Sequence, residues 1–187
     1  GQNIDKLRNL STLSALYAHK NIAFIGKPGT GKTHLAQAFG RACCEHGMKA
    51  YFIKMTELRD RMTDARRAGR ESTLLAALVR PSCLIIDEVG HCEFDKENTR
   101  LFFDMVDRRY QKDGYYNMVF TSNRDPAQWQ ENFCENDSLL CALDRIFDDA
   151  IVFSIKGESF RGRRLETVSL RSSAASPAAA PSQKSGI

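Results

Sequence analysis

No apolar run among the 187 residues approaches the roughly 20 that a helix needs to cross a bilayer, and no secretory leader is visible. Neither a membrane-spanning helix nor export is expected, and a cytoplasmic location is. The six cysteines include no Cys-x-x-Cys pair. The four histidines, His19, His34, His46 and His91, form no metal set, and no Cys/His cluster has metal-ligand spacing. Free thiols in a reducing compartment are the expectation, with Cys43 and Cys83 at core positions. A strong charge excess is also missing. The net charge of +4 is only mildly basic, so the distribution of charge carries more information than its sum. No internal repeat is present. A hydrophobic content of 42 % with 27 % charged residues is that of an ordinary globular chain, and the length suits one α/β domain.

Five short β-type runs alternate with helical stretches: Asn21–Ile25, Ala50–Lys54, Cys83–Asp87, Met118–Ser122 and Ala150–Ser154. Most are almost continuously apolar, as strands of a parallel sheet covered on both faces must be. Leu35, Ala38, Phe39, Ala42 and Cys43 mark the inner face of a helix that Gly47 stops. Asp95 caps a further helix whose Leu101, Phe102, Met105 and Val106 face inward. This alternation predicts a doubly wound sheet with ligand at the carboxyl ends of its strands. From Ser172 to Ile187 the composition falls to Ser, Ala, Pro, Gln, Lys, Gly and the final Ile. A domain over 1–171 and a disordered tail over 172–187 are therefore expected. The chain opens at Gly1 rather than a methionine, so further residues upstream are expected too.

Gly26-Lys27-Pro28-Gly29-Thr30-Gly31-Lys32-Thr33 lies between the first strand and a helix, which is the context a phosphate-binding loop needs. Gly26, Gly29 and Gly31 let the backbone curl until its N–H groups point at phosphate oxygens. The helix adds its N-terminal amides and positive dipole end. Lys32 reaches the β- and γ-phosphates, and the Thr33 hydroxyl can ligate Mg²⁺. Lys27, Pro28, Thr30 and His34 complete the expected nucleotide-contacting segment, although His34 on its own reads as structural.

Cys83-Leu84-Ile85-Ile86 is an apolar strand ending in Asp87-Glu88. Beside a phosphate loop, Asp87 reads as the Mg²⁺ carboxylate and Glu88 as the base for an attacking water. A second acid at this point favours hydrolysis over transfer to a small molecule. The fourth strand ends in Asn123, which reads either as a hydrogen-bonding partner of a γ-phosphate or that water, or as an Asn stabilising its own turn. Two arginines flank the fifth strand: Arg145 before it and Arg161 after it. From spacing alone, both also read as ordinary surface arginines.

Gly31–Ala36 (Gly-Lys-Thr-His-Leu-Ala), Leu84–Glu88, Arg109-Tyr110, Thr121–Arg124, Trp129, Leu143–Arg145 and Gly157–Arg161 together resemble the IstB family. Its members are ATP-binding helper proteins of insertion-sequence transposons. The resemblance runs from about Asn3 to Arg164 and extends more loosely to DnaC, the replicative helicase loader. Both groups are AAA+ ATPases, which act as rings or spirals. The resemblance implies an α/β, P-loop NTPase (AAA+) three-layer sandwich with a five-stranded parallel sheet. It implies ATP and Mg²⁺ as cofactors. It also implies that Asn123 is sensor 1, that Arg145 is an arginine finger acting in trans, and that Arg161 is the sensor 2 arginine. Two departures from the family pattern are expected: a small helical N-terminal domain is missing, and the helical lid after the fifth strand is absent or much reduced.

Between the second and third strands, Leu58, Met62 and Ala65 mark a weak apolar stripe, and Arg59, Arg66 and Arg70 lie on an adjacent face. Lys54–Arg70 holds six basic residues against three acidic ones. A solvated helix face explains this pattern, and so does DNA binding. The resemblance implies the latter, because in AAA+ initiators and loaders this region faces the pore of the ring. Without interleaved aromatics, the expected mode is contact with duplex phosphates rather than base stacking. Arg163 and Arg164 extend a second basic cluster begun by Arg161. The expected function is an ATP-hydrolysing protein that oligomerises on DNA as a transposition helper, steering target-site selection and recruiting a transposase. The alternative is a loader whose partner is a replicative helicase. A small-molecule kinase and a nucleotide-dependent scaffold without catalysis fit Glu88 and Asn123 less well.

Overall fold

Alternate residues of the central strands part to opposite sides of one sheet, and this sorting builds the molecule. The computed structural model describes residues 2–134 and 137–157. Arg161, Arg163, Arg164, the segment expected to replace a lid and the expected tail over 172–187 lie outside the described residues.

A short helix α1 (Gln2–Arg8), a 3₁₀ turn (Asn9–Thr12) and α2 (Ser14–Tyr17) lead into β1 (Ile22–Gly26). Then follow α3 (Lys32–Glu45), β2 (Ala50–Lys54), α4 (Met55–Arg67), α5 (Glu71–Val79), β3 (Cys83–Val89) and α6 (Lys96–Tyr110). The chain continues through β4 (Asn117–Ser122), a 3₁₀ segment (Pro126–Asn132), α7 (Asp137–Phe147) and β5 (Ile151–Ile155). The sheet is parallel, in the order β2-β3-β4-β1-β5. All five strands fall within two residues of the runs read from sequence.

Ala23, Leu84, Ile86, Met118 and Phe120 pack with α4, α5, α6 and α7 in one apolar cluster. Ile22, Phe24, Cys83, Ile85 and Val119 pack with α2 and α3 in another. The two clusters make the three-layer sandwich. Each fully buried Leu, Ile or Phe contributes about 1.5–3 kcal/mol. Among the described residues no helix is long and apolar enough to cross a membrane.

Several details read from the sequence recur in the structure. Gly47 (φ +76°) ends α3, with Met48 N–H donating to Cys43 O and Gly47 N–H to Cys44 O at 3.0 Å each. The Asp95 carboxylate caps α6 by accepting from Asn98 N–H at 2.7 Å. The inner face of α3 differs from the expected one. Ala36, Phe39, Gly40 and Cys43 are buried, whereas Ala38 is exposed. Leu35 and Ala42 are half-buried against the core, so only Ala38 of the expected face turns outward, which an apolar count over alanines cannot register.

Arg109 is fully buried, and among the described residues it has no ion-pair partner. Its guanidinium donates to Leu78 O, Val79 O, Pro81 O, Ser82 O and Asn117 O at 2.8–3.2 Å. It staples the end of α5 to the starts of β3 and β4. Burial lowers its pKa to about 10, so it stays charged at neutral pH.

Candidate functional site: a phosphate loop facing two strand ends

The loop from Gly26 to Thr33 opens onto a cavity of about 640 Å³ at the carboxyl ends of β1, β3 and β4. Gly29 (φ +80°) and Gly31 (φ +89°) hold left-handed conformations there. Gly26 is different: it ends β1, and a Cβ there would lie 2.4 Å from Ile155 O. Its glycine is needed for the close approach of β5 rather than for the curl expected from the motif. The Lys32 ammonium is buried and donates to Lys27 O at 2.8 Å, and Thr30 Oγ1 donates to the same carbonyl at 2.9 Å. His34 is exposed at the cavity wall, one residue beyond Thr33.

Asp87 is buried at the end of β3, and two hydroxyls converge on it. Thr33 Oγ1 donates to Asp87 Oδ1 at 2.8 Å, and Thr121 Oγ1 donates to the same oxygen at 2.6 Å. Thr121 Oγ1 also accepts from Glu88 N–H at 2.9 Å. The β3–β4 register shifts here, between Ile86 and Val89, and Glu88 takes φ +61°. Such an irregularity re-aims a side chain, and the Glu88 side chain lines the cavity. On its outer side, Glu88 Oε2 lies 3.3 Å from Lys54 Nζ at the end of β2. Asn123, one residue past β4, lines the same cavity, and its Nδ2 is 3.2 Å from His91 Nε2. Ser122 fixes this corner: its hydroxyl donates to Val89 O at 2.7 Å and accepts from Trp129 Nε1 at 3.2 Å.

The loop residues, Asp87, Glu88 and Asn123 thus come together. Thr33 and Asp87 form a pair of hard oxygen donors suited to Mg²⁺. The volume falls within the roughly 300–1,000 Å³ of ordinary cofactor pockets. Three residues at the site were not singled out from sequence. Thr121 could have been found as the position two before Asn123 on the same strand. Lys54 ends a strand adjacent to β3, but only the sheet order reveals that adjacency. His91 gave no signal beyond its place three residues after Glu88.

Arg145 stands apart. It lines a second cavity of about 350 Å³ with Asn21 and Met118, at the amino ends of β1 and β4. It pairs there with Asp107 of α6 and lies over the Tyr110 ring, 5.8 Å from the centroid. The three arginines of the basic segment are also separate from the first cavity. Arg59 donates to Asp60 at 2.7 and 2.9 Å. Arg66 donates to both Asp95 oxygens and to Asn98 Oδ1 at 2.9–3.0 Å. The Asn98 N–H bond, with Arg66 second, holds the Asp95 carboxyl below its usual pKa. Among the described residues, Arg70 has no ion-pair partner; it is exposed at the start of α5.

Comparison with known proteins agrees with this geometry. The ATP-binding protein of insertion sequence IS5376 from Geobacillus stearothermophilus is 35 % identical over 158 residues, 84 % of this chain. The chain spans only 62 % of that relative's length. The DnaC helicase loader superposes with a TM-score of 0.67 at 20 % identity, covering 83 % of this chain and 89 % of that one. The replication initiator DnaA, bound to AMPPCP and single-stranded DNA, gives 0.60 at 22 % identity, covering 83 % of this chain and 44 % of that one. These likenesses place the fold among the P-loop AAA+ proteins. The model of the IstB-like ATP-binding protein family matches residues 1–167, and the chain belongs to that family.

Proposed function

We infer that the chain is the ATPase module of a transposition helper, with residues 1–171 as the module. It assembles on duplex DNA as an ATP-bound oligomer, and hydrolysis between subunits remodels that assembly. Through it, the protein governs target-site selection and recruits a transposase in the cytoplasm. The observation that carries this reading is the convergence of Asp87, Thr33, Thr121 and Glu88 on the cavity of the phosphate loop.

Lys32 and the loop amides hold the β- and γ-phosphates. Mg²⁺, held by Thr33 and Asp87, would neutralise charge that develops on those phosphates. Glu88 accepts the proton of a water attacking the γ-phosphorus, and the bond to the β,γ-bridging oxygen breaks, giving ADP and phosphate. Asn123 orients that water or the γ-phosphate. Arg145 lies at the opposite end of the strands from its own loop, so it serves a neighbour's nucleotide. Arg161 is assigned to the nucleotide on the family resemblance of its motif alone. The insertion-sequence origin of a relative at 35 % identity favours the helper over the helicase loader, since the 20 % likeness to DnaC carries the fold only.

One sedimentation experiment tests this reading. With a slowly hydrolysed ATP analogue, the protein should form higher oligomers on duplex of a few tens of base pairs, more than on single strand of equal length. Lys32→Ala should not assemble. Glu88→Gln should bind ATP by fluorescent-nucleotide titration, fail to turn it over, and assemble with ATP itself. Equal loss of nucleotide affinity in both variants counts against the assigned roles. Assembly only on single strand moves the reading to the loader.

A further inference from the structure

We propose that His91 is a positioning residue of the hydrolytic site, holding the Glu88 carboxylate and the Asn123 amide in one array. The proposal rests on the hydrolytic reading above. Gly90 (φ +96°) turns the chain after β3, and His91 N–H donates to Glu88 O at 3.3 Å. This turn brings the imidazole back to the cavity wall between the ends of β3 and β4. His91 Nε2 lies 3.2 Å from Asn123 Nδ2, and His91 Nδ1 lies 4.0 Å from Glu88 Oε2.

The chemistry of these atoms gives the array a direction. An amide nitrogen only donates, so His91 Nε2 is the acceptor. The neutral ring then carries its proton on Nδ1, the nitrogen facing the Glu88 carboxylate. At 4.0 Å that approach is longer than a hydrogen bond, and the proposal requires a side-chain rotation that closes it. Asn123 keeps its second N–H and its carbonyl oxygen for a phosphate or water.

His91 also has a competitor. Glu88 Oε2 is 3.3 Å from Lys54 Nζ, which draws the carboxylate toward β2, away from β4. The imidazole draws the same oxygen toward Asn123. Without His91, the carboxylate is left to Lys54 and the Asn123 amide loses the partner that sets its rotation. A base misplaced by about 1 Å can lose about 10²-fold in rate while the nucleotide stays bound. The His91 side chain is 41 % exposed, so its removal leaves the core intact.

The test measures ATP turnover at saturating nucleotide, nucleotide affinity and melting temperature for His91→Ala, His91→Phe and His91→Gln. Ala and Phe should lose about 10- to 100-fold in turnover, with affinity within about twofold and melting unchanged. Gln, whose amide can both accept from Asn123 and donate toward Glu88, should recover most of the loss. Combining His91→Ala with Asn123→Ala should cost little more than the worse single change, because both break one array. Wild-type turnover in His91→Phe, parallel loss of affinity and turnover, or a fully additive double variant overturns the proposal. Glu88→Gln is run beside them. If it still hydrolyses ATP, the hydrolytic reading falls and His91 with it. If it is inactive while the His91 variants are not, only the His91 proposal fails.

Discussion

Glu88 is the residue where local conformation and chemistry meet. A non-glycine residue at φ +61° costs on the order of 1–3 kcal/mol and persists only when its surroundings over-determine it. Here Thr121 does so, accepting the Glu88 N–H while donating to Asp87. One hydroxyl therefore fixes both acids of the site. The two acids were legible in the sequence as the end of an apolar strand. The position of Thr121 on its strand was legible too, but the bonds of its hydroxyl were not, because its partners lie on another strand and depend on the register shift. Thr121→Val keeps the shape and removes both bonds. Losing about 1.4 kcal/mol of that bracing corresponds to about tenfold in turnover. Nucleotide affinity should change less than about threefold, since Lys32 and the loop are untouched. Thr121→Ser should restore the rate. Steady-state turnover beside fluorescent-nucleotide titration reads this, and a valine variant with undiminished turnover contradicts it.

Strands were more legible than helices, for a physical reason. The inner strands β1, β3 and β4 are largely buried on both faces, and even the edge strands β2 and β5, only partly covered, read as short apolar runs. A helix shows only its periodic face, and alanines blur that face, as Ala38 does on α3. The basic segment is a further case. Its apolar stripe of Leu58, Met62 and Ala65 is buried as expected, and Gly69 (φ +63°) divides the segment into α4 and α5. Its charge balance did not show that Arg59 and Arg66 already hold Asp60 and Asp95. Contact with DNA through these two exchanges one anionic partner for another, whereas Arg70 has none to give up among the described residues. Each arginine that neutralises a duplex phosphate should add about 0.9 to the slope of log affinity against log salt. Arg70→Ala should therefore flatten the slope by about that amount, and the triple alanine variant of Arg59, Arg66 and Arg70 by more. Unrelated sequences should weaken alike. A salt titration of the triple variant with unchanged affinity and slope means that this face is only solvated.

At the scale of the whole molecule, the parts proposed to act together in hydrolysis lie at opposite ends of one sheet. The phosphate loop opens at the carboxyl end of β1, and Arg145 lines a cleft at its amino end. One subunit cannot bring the two together, since the sheet itself separates them. Sequence spacing could not reveal this, because the Asp107 that holds Arg145 is 38 residues away on another helix. In the proposed oligomer, stacking subunits so that one cleft meets the next subunit's loop would close the gap, and Arg145 would exchange Asp107 for a phosphate. An arginine delivered in this way is worth about 10³–10⁵ in rate. Arg145→Ala should keep its nucleotide affinity and lose turnover to about that degree. Lys32→Ala should lose both. Neither should be active alone, yet a mixture contains interfaces where the intact loop of an Arg145→Ala subunit meets the intact Arg145 of a Lys32→Ala subunit. Turnover should therefore reappear on mixing and peak at intermediate ratios, in proportion to the population of such interfaces. If mixed oligomers form on duplex DNA by sedimentation and no mixing ratio recovers turnover, Arg145 does not act across the interface.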